Sequence, residues 1–426
     1  MGKIIELNHI TKIEGHASLS LGLDGTTVTK CELQAEEGAR YFEGLVVDRH
    51  YREASEITSR ICGICSCAHT ICAIQACEAA LGIEPSEQTY KLRELLTYAE
   101  RIRSHTTHLY FLALPDYLGF ESALAMAPTH KATLQQALRL MKLGNDLIFL
   151  IGGRDLHPAS ATVGGWLKLP PVQELRTIAR RLREALPDAE QTANLFARLK
   201  QPSFQRPTEY FSLTRPGEYA TLRGDLTSQS SRFPKERYHE FLHEYHERYA
   251  TSNFVVKEGK SYLVGALSRL NNNHQWLSPA AQRVVARHSI TFPLHGPFLN
   301  NLAQAIELVH YVEKAAELCE TLTPKKEPLI EAQPRSGVGI GAIEVPRGVL
   351  WHEYELDKTG TIIRANIITP TCQNLRNCED DIKAFVPTIA HLPKEALVTE
   401  IEKLIRSYDP CFSCSTHFLK VKWFSK

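Results

Sequence analysis

Two short segments carry most of the chemistry this sequence could perform. Arg60-Ile61-Cys62-Gly63-Ile64-Cys65-Ser66-Cys67-Ala68-His69 lies in the first sixth of the chain, and Asp409-Pro410-Cys411-Phe412-Ser413-Cys414-Ser415-Thr416-His417 lies close to its end. Each sets two cysteines three apart with a histidine shortly after. That spacing lets both sulfurs of a pair reach one metal from a single turn, and thiolates are soft ligands suited to zinc, iron–sulfur clusters or nickel. Spacing alone leaves three chemistries open. They are a redox metal, a structural zinc with four cysteine ligands clamping the termini, and metal-free thiol redox, which two such pairs argue against.

Elements must bring these segments together. The run from Cys65 to Leu81 is helical in pattern and apolar nearly all round, which predicts a buried helix ended by Gly82 and Pro85. Cys65 stands at its N-terminus, where the helix dipole favours a thiolate, and Cys65 and His69 share one face. Further helices are predicted over 88–113, 129–151, 173–186 (ended by Pro187), 301–323 and 394–407. In the 301–323 helix Leu302, Ala305, Ile306, Val309, Val312 and Ala316 form one stripe. The N-terminal part, 1–60, reads as β-rich. Leu19, Leu21 and Leu23 alternate with small or polar residues, Asp24-Gly25 turns, and Val28 to Leu33 returns. The stretch 200–260 reads as loops and short helices, and Gly337–Gly341 and Thr359–Ile368 as turns and short strands. The expected fold class is mainly α with a β-rich start (α+β). With no internal repeat and no low-complexity linker, the expected organisation is one large unit over 1–417.

Bulk properties exclude several functions. The chain has 426 residues, 43% hydrophobic and 23% charged, as a globular protein does. Its 49 basic and 48 acidic residues give a net charge of +1, so bulk charge offers no hold on nucleic acid or a membrane surface. Eleven cysteines is an odd number in a chain large enough to need no disulfide staples, and the start, MGKIIELNHITKIEGH, has no apolar signal core. No apolar run approaches the roughly 18 residues of a membrane span. A reducing, cytoplasmic setting is expected, with the cysteines free or on metals.

The two cysteine motifs, taken as a pair, resemble the signature motifs of [NiFe]-hydrogenase large subunits. Further matches lie in family order along the chain: Thr11 to His16, Ser104-His105 with His108, Leu114-Pro115-Asp116, Glu344-Val345-Pro346-Arg347-Gly348 and Ile368-Thr369-Pro370-Thr371. The resemblance implies the hydrogenase large-subunit fold, with a central bundle of long helices. It also implies a Ni–Fe(CO)(CN)2 centre that cleaves dihydrogen heterolytically. Cys62 and Cys411 would be terminal nickel thiolates, and Cys65 and Cys414 would bridge nickel to iron. The proton would pass to Cys411 or to Arg347, and Glu14 would be the relay carboxylate. The bland alternative for Glu14 is a pairing with Lys12 or His16. Arg347, Thr371 and Pro370 would stand against the diatomic ligands, with Arg347 and Thr371 donating hydrogen bonds to cyanide. Asp116 and Asp409 would both neutralise Arg347. His69 would hydrogen-bond a cysteine sulfur, while His105 and His108 would support the surrounding core. Glu43, the carbonyl of Ile367 and His417 would hold a hard divalent ion, Mg2+ or Fe2+, near the C-terminus. Cys31, Cys67, Cys72, Cys77, Cys319, Cys372 and Cys378 are surplus, most of them small buried hydrophobes.

Nine residues, Phe418 to Lys426, follow His417. The resemblance implies that a maturation protease removes them. The sequence has neither a ferredoxin-type cysteine run nor a Gly-x-Gly-x-x-Gly fingerprint, so electrons and nicotinamide must be handled by other chains. The implied partners are a small subunit with Fe–S clusters and flavin-containing diaphorase subunits that bind NAD(P). The short length and the segments Leu263 to Ala266, Asn300 to Ala305 and Asp409-Pro410-Cys411 look most like the cytoplasmic, multi-subunit hydrogenases, and among them the NAD(P)-linked ones, also called sulfhydrogenases. Two other acceptor readings are a deazaflavin-reducing and a heterodisulfide-linked hydrogenase. The remaining rivals are a structural zinc protein and the non-catalytic relative in respiratory complex I, which lacks the four cysteines.

Overall fold

The computed structural model describes residues 3–38 and 40–416. Three strands open the chain as an antiparallel meander, Lys3–Leu7, Ala17–Asp24 and Thr27–Ala35. Beyond Ala35 the expected β-rich start gives way to short helical turns, among them Phe42–Val46, Ala54–Thr58 and Ser59–Ile61. These deliver the chain to Cys62.

The cysteine helix, Ser66–Leu81, is buried on every side except at Ala79. One flank lies on a second antiparallel sheet, Gly337–Val345, Gly348–Leu356 and Ile362–Ile368. Gly337, Gly339 and Gly341 alternate along the first of these strands. A Cβ at each would run into the backbone oxygens of Ala80, Ala76 and Cys72 in turn. The glycines let helix backbone rest directly on strand backbone. The sequence had shown these segments as turns and short strands, because glycines at every second position suppress strand propensity. The pairing and burial of their neighbours override it.

The helices Glu87–Thr107, Ala123–Gly152, Val172–Arg198 and Asn300–Thr321 pack on one another. Asn300–Thr321 is buried along nearly its whole length. The predicted 88–113 helix is α-helical to Thr107 and then widens into a π-turn, His108–Ala113. The 129–151 helix starts earlier, at Ala123, and is interrupted at His130, two residues after Pro128. Pro187 does not end its helix, which continues to Arg198. Ala189, Ala193 and Phe196 extend the buried stripe of Leu175 and Leu182, and this packing outweighs one lost backbone bond. The stretch 200–260 holds one short 3-10 helix, Lys235–Glu240, among its loops, and also small strands that were not expected, including the pair Leu242–His246 and Asn253–Lys257. A helix not foreseen, Pro370–Ile389, begins with proline at its first turn, where the missing N–H costs nothing. Lys394–Ser407 is the expected late helix. Among the described residues no helix is long and apolar enough to cross a membrane.

Candidate metal centre

The start and the end of the described chain meet at the cysteines. Glu14 and Cys411 form an isolated parallel β-bridge, with Phe412 N–H donating to the Glu14 carbonyl at 2.9 Å. Gly15, at φ +81°, makes this approach possible. A Cβ there would sit 3.0 Å from both the Phe412 Cβ and the Ser413 nitrogen. Asp409 also lies in the left-handed region, at φ 50°, a conformation aspartate tolerates better than most residues. The turn it makes carries Pro410 and Cys411 inward.

Cys62, Cys65, Cys411 and Cys414 place their sulfurs within 4.8 Å of one another, all buried. Cys62 and Cys411 are 3.5 Å apart, Cys65 and Cys414 3.1 Å, and Cys411 and Cys414 2.9 Å. These distances exceed the ~2.05 Å of a disulfide bond, and all eleven cysteines are free thiols. Hydrogen bonds from Cys411, Cys414 and Cys65 hold Cys62 well below the ordinary thiol pKa, while burial pushes Cys411 and Cys414 well above it. A soft cation among the sulfurs is what lets four such buried thiols ionise together.

Arg347 stands beside this group. Its Nε donates to the Asp409 carbonyl at 2.7 Å and its Nη2 to Asp409 Oδ1 at 3.0 Å. Its Nη1 is buried with no hydrogen-bond partner among the described residues. Burial opposes its charge, but Asp409 and then Cys411, Cys65 and Cys62 hold it firmly protonated. A buried cationic donor left open beside four thiols fits a centre carrying anionic ligands. The Thr371 hydroxyl accepts from Cys411 N–H at 3.0 Å, and Pro370 precedes it at the start of the same helix.

Glu14 is half-buried, with Oε2 3.0 Å from Cys411 Sγ and 3.2 Å from Ser413 N–H. Its other oxygen accepts from the Ser413 hydroxyl. The alternative pairings go elsewhere: Lys12 to Asp116, and His16 to Glu37 at 3.4 Å. His69 Nε2 lies 3.9 Å from Cys414 Sγ, and its Nδ1 is 3.1 Å from His352 Nε2. His105 bonds Glu307 at 2.8 Å, and His108 bonds Gln304 and the Arg406 carbonyl. Neither histidine belongs to the metal-binding group. Glu43 Oε1 accepts from Ile367 N–H at 2.8 Å, and burial pushes its carboxyl up to about 8, with Glu244 adding to the rise. His417 and the segment 418–426 lie outside the described residues.

One expectation needs correcting. Asp116 pairs with Lys12 and with Arg406 (2.6 Å), so Asp409 is the aspartate that neutralises Arg347. The reason is topological, since Arg406 lies in the last turn of the helix Lys394–Ser407 and Asp409 just beyond its end, and the two face different neighbours.

Several residues that hold the site carried no signal in the sequence. Arg40 donates to the carbonyls of both Ile61 and Ser413, tying the two cysteine loops to each other. Arg103 donates to the Ile64 carbonyl at 2.6 Å. Glu100 accepts from Cys67 N–H at 2.9 Å, at the first turn of the cysteine helix. Each acts on backbone, which residue spacing does not reveal. Cys67 itself is buried outside the four-sulfur group.

A buried four-thiol pocket assembled from both ends of a helical fold defines a transition-metal protein. The chain matches the nickel-dependent hydrogenase family over residues 40–149 and 247–417, and it belongs to that family as a large subunit, an oxidoreductase of the [NiFe] hydrogenase class. It is 34% identical to the alpha subunit of sulfhydrogenase 1 of Pyrococcus furiosus, across 98% of each chain. It is 29% identical to a subunit of the vhu F420-non-reducing hydrogenase of Methanocaldococcus jannaschii, across 91% of this chain and all of that one. Its fold is similar to a solved NAD+-reducing [NiFe]-hydrogenase in the H2-reduced state, with TM-score 0.89 and 25% identity over 97% of this chain and 99% of that one.

Proposed function

We propose that this chain is the catalytic subunit of a cytoplasmic hydrogenase that couples dihydrogen oxidation, reversibly, to NAD(P) through a small subunit's Fe–S clusters and a flavin-containing diaphorase. The observation that carries the reading is the four-sulfur group with the Glu14 carboxylate at Cys411 and the open Nη1 of Arg347 nearby. Cys62, Cys65, Cys411 and Cys414 would hold a Ni–Fe centre, which supplies the heterolytic cleavage of dihydrogen. Arg347 and Thr371 stand where they would donate to its diatomic ligands, with Pro370 alongside.

The protein's own part is to take the proton away. Arg347 stays protonated and has two nitrogens committed to Asp409, so Cys411 Sγ receives the proton. Glu14 Oε2, 3.0 Å away, accepts it next, and the half-exposed carboxylate passes it outward. His69, 3.9 Å from Cys414 Sγ, would orient that cysteine.

Glu43, with the Ile367 carbonyl and His417, would hold Mg2+. Burial of Glu43 near Glu244 costs a carboxylate dearly, and a divalent cation offsets that cost. The segment Phe418–Lys426 is proposed to be removed by a maturation protease, leaving a subunit that ends at His417.

Infrared spectroscopy of the anaerobically purified complex is the deciding experiment. One carbonyl and two cyanide bands that shift under dihydrogen are expected, on a chain whose intact mass ends at His417. A chain of that mass with no such bands would sink the hydrogenase reading. The acceptor is tested separately by supplying NAD+, NADP+, a deazaflavin and a heterodisulfide to the reduced complex. A deazaflavin-reducing or a heterodisulfide-linked hydrogenase is the alternative that this experiment separates.

A further inference from the structure

Arg269 is fully buried in the helix Ala266–Asn273 and touches none of the four cysteines. Its guanidinium is nevertheless the most fully engaged in the region. Nε and Nη2 hold Glu307 bidentately at 2.6 and 2.7 Å, and Nη1 reaches Glu344 Oε2 at 3.0 Å. Nη1 also donates to the Val345 carbonyl at 2.8 Å, and Nη2 to the Pro346 carbonyl at 3.0 Å. Those are the two residues immediately before Arg347.

The acceptors are fixed in turn. Glu307 is bound by the Tyr219 hydroxyl at 2.6 Å and by His105 at 2.8 Å, and Glu344 by Leu213 N–H at 2.8 Å. Gly265, just before the Arg269 helix, lies against the Arg347 carbonyl, where a Cβ would be 3.3 Å away. A buried guanidinium is costly, and neutralising two carboxylates would not require it to bind the turn. Only a planar fork with five donors can span two carboxylates and two successive carbonyls at once.

Arg347 is therefore held from two directions. Asp409 sets the direction of its fork, and Arg269 sets the position of its backbone. We propose that Arg269, anchored by Glu307 and Glu344, is a positioning residue that fixes the place of the Arg347 backbone, and with it of the open Nη1, beside the four cysteines. The inference rests on the hydrogenase reading above. It concerns a geometry that must hold to within about half an ångström for a donor to act on a small ligand.

The test uses the complete complex carrying Arg269→Lys, which keeps the charge and loses the fork. Glu344→Gln removes a single anchor at constant size and serves if the lysine variant does not assemble. Arg93→Lys is the control, because Arg93 and Glu78 form an equally buried bidentate pair with no bond to the Arg347 turn. At wild-type nickel and iron content, the Arg269 and Glu344 variants are expected to move or broaden the cyanide bands and to lower kcat at least tenfold. Arg93→Lys is expected to leave the bands in place even where it lowers Tm equally. Wild-type bands and wild-type kcat in both Arg269→Lys and Glu344→Gln would overturn the proposal while leaving the enzyme a hydrogenase. A mature wild-type complex without diatomic bands would instead remove the functional reading.

Discussion

At the scale of single residues, Glu14 is the group whose contribution is most separable. It reaches Cys411 Sγ and Ser413 without being a metal ligand itself. Glu14→Gln keeps the shape and cannot carry a proton. It should cut turnover by roughly 10²–10⁴-fold, the usual worth of a positioned acid–base group, with nickel, iron and the infrared bands unchanged. Wild-type turnover in that variant would remove Glu14 from the proton path. Cys411→Ser makes the complementary prediction, loss of nickel measured by elemental analysis, because a hard hydroxyl replaces a soft thiolate. Cys-x-x-Cys marks its chemistry by residue type, whereas Glu14 was singled out only through the family resemblance of the Thr-Lys-Ile-Glu-Gly-His run. The sequence misplaced Asp116 and passed over Arg40, Arg103 and Arg269. Which buried carboxylate meets which arginine, and which arginine binds backbone, depends on distant chain crossings and not on local spacing.

At the scale of elements, the cysteine helix is held by its contact with the glycine-lined strand. Gly339→Ala should lower Tm by the equivalent of about 1–3 kcal/mol, the cost of overpacking a close contact. It should also lower nickel content, because moving the helix moves Cys65, which precedes its first turn. Calorimetry and elemental analysis on one preparation check both; an unchanged Tm would mean the helix does not rest on that backbone. The helix itself was plain in the sequence from its long, nearly continuous apolar run ended by Gly82, and the N-terminal hairpin from its alternation. The length and pairing of the second sheet, read only as turns and short strands, and the strands within 200–260 were not. Their residues alternate weakly, and their stability comes from partners far along the chain, such as Glu344 N–H donating to the Thr221 carbonyl at 2.7 Å. Pro187 misled for the converse reason, since tertiary burial carried its helix onward.

At the scale of the whole molecule, buried ionisable groups set the response to acid. His310 is fully buried on the Asn300–Thr321 helix and accepts Ser278 N–H through Nδ1 at 3.0 Å. Burial depresses its pKa to about 3, against about 6.5 in an unfolded chain. Between those values the unfolded state binds a proton that the folded state does not, so this group removes stability as pH falls from 6.5 toward 3. His310→Gln, which can still accept from Ser278, should therefore show a smaller loss of Tm between pH 7 and 4.5 than the wild type. An equal loss in the two proteins would show that His310 is not the group responsible.

Cys62 and Cys411 face each other at 3.5 Å although 349 positions separate them in the chain. In the cell that separation is also an interval of time. At about 5–20 residues per second, the second pair of sulfurs leaves the ribosome roughly 20–70 s after the first. Throughout that interval Cys62 and Cys65 are half a ligand set, open to any soft cation present. A four-thiolate site therefore exists only once Cys414 has been made. The segment Asp409 to Thr416, made long after the first cysteine pair, completes the four-sulfur group, so synthesis itself fixes the order in which the two halves of the site appear.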